Sequence, residues 1–292
     1  MSKFETLFNQ YALVQNEDQL QRDVDAIIQT KVRANCVSDV YNHCLGLIDL
    51  TSLNVTDSES SIVEMVDRIN HFPETYPHLN TVPAICVFPN MVPVVKKYLN
   101  DSVKIASVAG GFPASQTFIE VKMAEVAMCT MEGADEIDVV INLGYFLDSK
   151  FADLYEELSE IKTACREAHL KVIIESGALT SSAQIMQASI LALASGADFI
   201  KTSTGKTPVS ATPKAVMVMC KAIKAWYEKT GEQKGIKVSG GIVTPYDAAM
   251  YYTIVQQILG EEWMNPRLFR LGASRLANNL LSEIKQETVV YF

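Results

Sequence analysis

From residue 45 to residue 286 the chain repeats one unit eight times, a short apolar run followed by an amphipathic stretch. The apolar runs are 45–50, 83–88, 104–108, 135–141, 171–175, 197–201, 235–239 and 268–272. Each has strand length and is bounded by turn residues, as a buried parallel strand requires. The stretches after them, about 59–70, 90–99, 115–131, 153–168, 180–194, 212–229, 245–259 and 274–286, have helical length. Cap signals mark three of their starts: Thr180-Ser181-Ser182, Thr212-Pro213 and Thr244-Pro245. Eight βα units in one chain predict an α/β fold, a (β/α)8 TIM barrel. A doubly wound open sheet would need a glycine fingerprint after the first strand, and Asp49-Leu50-Thr51 is not one.

The 292 residues suit a single barrel domain with terminal additions. Residues 1–42 read as a helical extension, with apolar positions at Phe4, Leu7, Tyr11, Leu13, Val24, Ile27 and Ile28. Residues 287–292 read as a tail without a core pattern, expected to fray. A net charge of −9 argues against nucleic acid as a partner. It leaves room for an anionic small molecule, which one cluster of lysines and backbone N–H groups can hold. No apolar run approaches the roughly 18 residues of a membrane span, and the N-terminus lacks the order of a signal peptide. Six cysteines without a CxxC pair give neither a disulfide framework nor zinc spacing. A cytoplasmic location, reduced cysteines, no metal and no cofactor are the expectation. His43, His71, His78 and His169 fall in helical or loop stretches away from strand ends, so no histidine-based triad or metal site is expected.

The candidate chemistry lies at strand ends. In Ala197 to Lys206 an apolar run meets Lys201 and then a Thr/Ser/Gly-rich turn. A lysine there is costly to desolvate unless something uses it. Side-chain alternation sends Phe199 and Lys201 into the barrel, together with Lys237 and Ser239, with Glu136, Asp138 and Val140, and with Leu47 and Asp49. Burial and a neighbouring ammonium both lower a lysine pKa, so a Lys201–Lys237 pair would keep one amine neutral. A neutral amine attacks a carbonyl to form an imine, and Asp138 can serve as acid/base. Structural Lys–Asp ion pairs are the plainer alternative. Thr204-Gly205-Lys206, Ser239-Gly240-Gly241 and Gly272-Ala273-Ser274 follow strands six, seven and eight, where barrels often hold phosphate. Thr204-Gly205-Lys206 lacks the upstream glycine of a P-loop, which excludes nucleotide binding there. Cys86 ends the second strand, and an inert buried thiol is its simplest reading.

Seven motifs carry a resemblance: IDLTSLN at 48–54, AICVFPNMVP at 84–93, GADEIDVVIN at 133–142, KVIIESG at 171–177, GADFIKTSTGK at 196–206, KVSGGI at 237–242 and RLGAS at 270–274. Over about residues 45–286 the chain resembles the 2-deoxyribose-5-phosphate aldolases, metal-independent, Schiff-base-forming enzymes on a (β/α)8 barrel. The resemblance implies reversible cleavage of 2-deoxy-D-ribose 5-phosphate to acetaldehyde and D-glyceraldehyde 3-phosphate, in deoxyribonucleotide catabolism. It makes Lys201 the imine-forming lysine, Lys237 the lysine that depresses its pKa and Asp138 the relay aspartate. It puts Asp49, Thr51 and Cys86 at the substrate site. Around the phosphate it puts Gly205, Lys206, Gly240, Gly241, Gly272 and Ser274, and Thr204 beside them is a further substrate-binding candidate. Tyr291 matches a C-terminal tyrosine that assists proton transfer in some relatives, a possible proton relay. The chain departs from some members at Val243, where they carry arginine, and at Arg275, where they carry a second serine. A homodimer is a possible assembly. A barrel enzyme using Lys201 only as a cation, and a non-enzymatic metabolite binder, are the competing readings.

Overall fold

A computed structural model describes residues 3–11, 16–100 and 102–292. Leu13 lies outside the described residues. The strands are β1 (Ile48–Thr51), β2 (Ala84–Val87), β3 (Lys104–Ala109), β4 (Glu136–Val140), β5 (His169–Ile173), β6 (Phe199–Lys201), β7 (Gly235–Ser239) and β8 (Phe269–Ala273). They pair in sequence order, all parallel, and β8 pairs with β1 to close the barrel. The helices α1 (Lys3–Gln10), α2 (Glu17–Lys31) and α3 (Ser38–Leu45) precede it. Around it run α4 (Glu59–Thr75), α5 (Val92–Tyr98), α6 (Ile119–Met131), α7 (Leu143–Leu147), α8 (Phe151–Cys165), α9 (Ser182–Ala194), α10 (Pro213–Thr230), α11 (Pro245–Leu259) and α12 (Leu276–Lys285).

Helices cover the outer face of the sheet, so outward residues such as Ile137, Val139, Ile236 and Val238 are buried in the main apolar core. Cap chemistry fixes the helix starts. Ser181 accepts from the Gln184 amide and Thr212 from the Ala215 amide. Thr244 forms a reciprocal capping box with Asp247.

Three expectations need correction. The apolar run at 45–50 belongs to two elements, because α3 extends through the buried Leu45 and the strand starts only at Ile48. Apolarity alone does not separate a helix end from a strand start when both are buried. The fifth strand starts two residues early, so His169 is a strand residue, at the N-terminal end opposite the barrel mouth. The tail does not fray. Asn278 accepts from the amides of Tyr291 and Phe292, and the Phe292 ring stacks on Phe72 at 5.2 Å.

The N-terminal extension packs along the barrel's outer helices. Glu17 accepts from the Ser182 amide at 2.7 Å and its hydroxyl at 2.9 Å, capping α9, and pairs with Lys214 at 3.0 Å. Tyr11 stacks on Trp226 with ring centroids 5.6 Å apart. Among the described residues no helix is long and apolar enough to cross a membrane.

Candidate active site

Strand register brings the inward side chains together. Asp138 pairs in register with Lys171, Lys201 with Lys237, and Lys237 with Arg270. Neighbours in register on parallel strands point the same way, so these charges share the barrel interior. Asp138 Oδ2 accepts from Lys201 Nζ at 2.7 Å and from Lys237 Nζ at 2.8 Å. Asp138 Oδ1 accepts from Lys171 Nζ at 3.1 Å. Asp49 lies 2.5 Å from Lys237 and 2.6 Å from Arg270. Glu136 lies 2.5 Å from Lys171 and 2.9 Å from Arg270. Seven ionisable groups, four able to be cations and three carboxylates, are thus buried in one network.

The network sets the charge of each member. Burial holds the Lys201 amine below the usual lysine range, with Lys237 adding to the shift and Asp138 opposing it. Burial also works against the charge of Lys237, but Asp138 and Asp49 outweigh it and raise its pKa. Lys171 is raised in the same way, burial being outweighed by Asp138, Asp49 and Glu136. For Asp138, burial is outweighed by Lys171, Lys201 and Lys237, and its carboxyl is held well below the usual range. With four cation formers against three carboxylates, charge balance is reached when one lysine is neutral, and Lys201 is the member whose pKa falls. Burial pushes the Cys86 thiol up, so it stays protonated.

Above this floor a cavity of about 260 Å³ opens at the C-terminal ends of the strands. Lys201, Thr51, Thr204, Gly205, Lys206, Gly240, Gly241, Gly272 and Ser274 line it, with Leu53, Val243 and Arg275 among the others. Two glycines have a steric reason. A Cβ on Gly272 would come within 3.0 Å of Lys237 Cε and 2.8 Å of Ser239 Cβ. Gly240 has φ +88°, and its Cβ would meet Ser210 Cβ at 2.4 Å. The helix α12 starts beside Ser274 at Arg275, which makes no side-chain cap, so its first amides remain available to an anion. Lys206 Nζ donates to the Leu53 carbonyl across the mouth. Among the described residues no group of three or more His, Cys, Asp or Glu is arranged to hold a metal ion.

Some expected site residues sit elsewhere. Asp49 lies under the floor, locked by Arg270, Lys237 and Lys171, and does not line the cavity. Cys86 is packed with Leu53, Ala106 and Val108 inside the barrel and does not line it either. Thr204 lines the cavity, but its hydroxyl and amide both donate to Glu175. Tyr291 is docked between α4 and α12. Its hydroxyl donates to the Arg68 carbonyl at 2.9 Å and its ring packs on Phe72 and Tyr76. Sequence reasoning also missed members. Lys171 and Arg270 carry the same alternation signal as Asp138 and Lys237. Glu175 shares the parity of Lys171 in the expected run 171–175, but the strand ends at Ile173, so alternation does not place it.

Residues 44–261 match the model of the DeoC/LacD family of aldolases. The chain belongs to that family. A relative from Caenorhabditis elegans is 44% identical over 247 residues, covering 83% of this chain and 81% of its own length. The Homo sapiens protein named deoxyribose-phosphate aldolase is 38% identical over 248 residues, covering 81% of this chain and 78% of its own. Among solved structures, one titled QR15, an aldolase, is 28% identical with a TM-score of 0.68, covering 83% of this chain and 96% of that one. The match to the DeoC/LacD aldolases ends before β8, so Gly272 and Ser274 fall outside the stretch matched by the family model.

Proposed function

We propose that the protein is a deoxyribose-phosphate aldolase, cleaving 2-deoxy-D-ribose 5-phosphate reversibly to acetaldehyde and D-glyceraldehyde 3-phosphate through an imine on Lys201. One observation carries the reading: of the three lysines in the buried network, Lys201 alone lines the cavity, and its pKa is the one lowered. The neutral amine adds to the C1 aldehyde of the open-chain sugar, and loss of water leaves an iminium. The C3 hydroxyl then gives up its proton, the C2–C3 bond breaks, and the electron pair passes into the enamine. Protonation at C2 and hydrolysis release acetaldehyde and return the amine.

Asp138 accepts from both Lys201 and Lys237 through one oxygen, which makes it the natural point of proton hand-over. Its own pKa is depressed, so it rests as the carboxylate, ready to accept a proton. The rim formed by Gly205, Lys206, Gly240, Gly241, Gly272 and Ser274 would hold the phosphate with backbone N–H groups and the Lys206 charge. Arg275, which also lines the cavity, supplies a cation in the stretch where Val243 does not.

A cytoplasmic enzyme of deoxyribonucleotide catabolism is the matching biological setting, supported by six free cysteines. In this reading the extension and the barrel are one domain, supported by the contacts of Glu17 with Ser182 and Lys214. A homodimer is the proposed assembly. It is supported by the exposed apolar side chains of Val121, Met128 and Met131 on α6 and of Phe118 just before it, which a second copy would cover.

Borohydride reduction in the presence of acetaldehyde tests the chemistry. A single reduced adduct is expected, on the peptide that contains Lys201. An unmodified Lys201 peptide from an active preparation would sink the proposal.

A further inference from the structure

We propose that Glu175 is a positioning residue for the phosphate end of the substrate, holding the loop from Thr204 to Lys206 in the shape that grips it. The inference rests on the aldolase reading above. Glu175 follows β5 and is buried, with 2% of its surface exposed. Its backbone is left-handed, at φ 49° and ψ 60°. Glycine adopts that conformation without steric cost, whereas a side chain makes it sparsely populated. A glutamate kept in such a place, out of water, points to a task for the side chain.

The task is visible in its contacts. Glu175 Oε2 accepts from the Thr204 hydroxyl at 2.6 Å, and both oxygens lie 3.3 Å from the Thr204 amide. Thr207 Oγ1 lies 3.3 Å from Glu175 Oε1, with its proton taken by the nearer Val209 carbonyl at 2.9 Å. The Thr204 hydroxyl in turn accepts from the Lys206 amide at 3.0 Å. A chain of hydrogen bonds therefore runs from Glu175 through Thr204 to Lys206. Thr204 has neither its hydroxyl proton nor its amide left for a ligand. Its part is to transmit the hold of Glu175 to Gly205 and Lys206, the two residues beside it that line the cavity. Close packing backs the same frame: a Cβ on Gly177 would meet the Val209 carbonyl oxygen at 2.0 Å.

Glu175 touches none of the reacting groups, so its effect should fall on binding of the phosphate and spare the imine. Two variants test this. Glu175→Gln keeps size and takes away one acceptor. Glu175→Gly suits the left-handed backbone and removes the carboxylate, so it remains a fair test if Glu175→Gln folds poorly. For each, KM and kcat are measured with 2-deoxyribose 5-phosphate and with unphosphorylated 2-deoxyribose, alongside borohydride trapping with acetaldehyde. The expected result is a rise in KM for the phosphorylated sugar of roughly tenfold, the scale of a lost hydrogen bond to a charged group. kcat, the constants for the unphosphorylated sugar and the yield of adduct should stay within about threefold. An equal loss on both sugars would assign Glu175 a merely structural role and overturn the proposal, as would an unchanged KM. Wild-type protein that neither turns over nor traps acetaldehyde would overturn the aldolase reading itself, and this role with it.

Discussion

Beneath the cavity, charged side chains on β1, β4, β5, β6, β7 and β8 are tied to one another with almost no contact with water. Around its mouth, glycine backbone, hydroxyls and two exposed cations are carried on loops after β6, β7 and β8, with Thr51, Leu53 and Asn54 added from β1 and the loop after it. The floor gains its properties from partners fixed by strand register, so each pKa there is a property of the group. The rim gains its own from backbone shape, set at Gly240 and Gly272 by what a side chain would strike. Substitutions in the floor should therefore change the chemistry, and those in the rim should change what is bound.

The sharpest way to break that division is Lys237→Leu. Loss of the neighbouring cation lets the pKa of Lys201 rise, so less of the amine is neutral at pH 7. Turnover at neutral pH should fall by at least roughly 100-fold, the lower range for removing a group that directs a proton. The rising limb of the pH–rate profile should move to higher pH, because neutral amine now accumulates only there. Wild-type turnover at pH 7 would disprove the pairing.

Ser274→Asp probes the rim. The residue is exposed, so a carboxylate there acts through screened charge and should raise KM for deoxyribose phosphate by roughly tenfold. Unphosphorylated deoxyribose should show little change, and steady-state kinetics on both sugars separate the cases. Losses of equal size would place the phosphate elsewhere.

Tyr291→Phe, outside both regions, is expected to do least. It removes the hydrogen bond to Arg68 and should lower stability by about 1 kcal/mol in chemical denaturation. kcat and exchange of the donor methyl protons in deuterated buffer should not move. Slowed exchange would mean that the tail leaves its dock and reaches the imine.

Most of the floor could be read from the sequence. Period-two alternation needs only strand identity, and it placed Asp49, Glu136, Asp138, Lys201 and Lys237 inside the barrel, as the structure has them. The same rule covers Lys171 and Arg270, which lie beside Asp138 and Lys237 in register. What alternation does not give is depth. Asp49 and Lys201 are both inward, yet one is sealed below the cavity and the other opens into it. Loops obey no period: Glu175 falls inside the expected run 171–175, but the strand ends at Ile173, and its contacts 29 and 32 residues away follow a loop shape that alternation does not give. The tail failed for a related reason: Tyr291 and Phe292 are a local pair with no pattern until Phe72 and Tyr76 are folded beside them.

The uneven count of charges under the cavity has a consequence for the order of events. With Lys201 neutral, three cations face three carboxylates. On the proposed chemistry, imine formation places a fixed positive charge on that nitrogen, and the balance is lost by one. Loss of a proton from the donor carbon gives a neutral enamine and restores it. The surroundings that make the amine a nucleophile thus also favour the carbanion equivalent over the iminium. Solvent exchange at the donor carbon, without any acceptor present, is where that bias would be read.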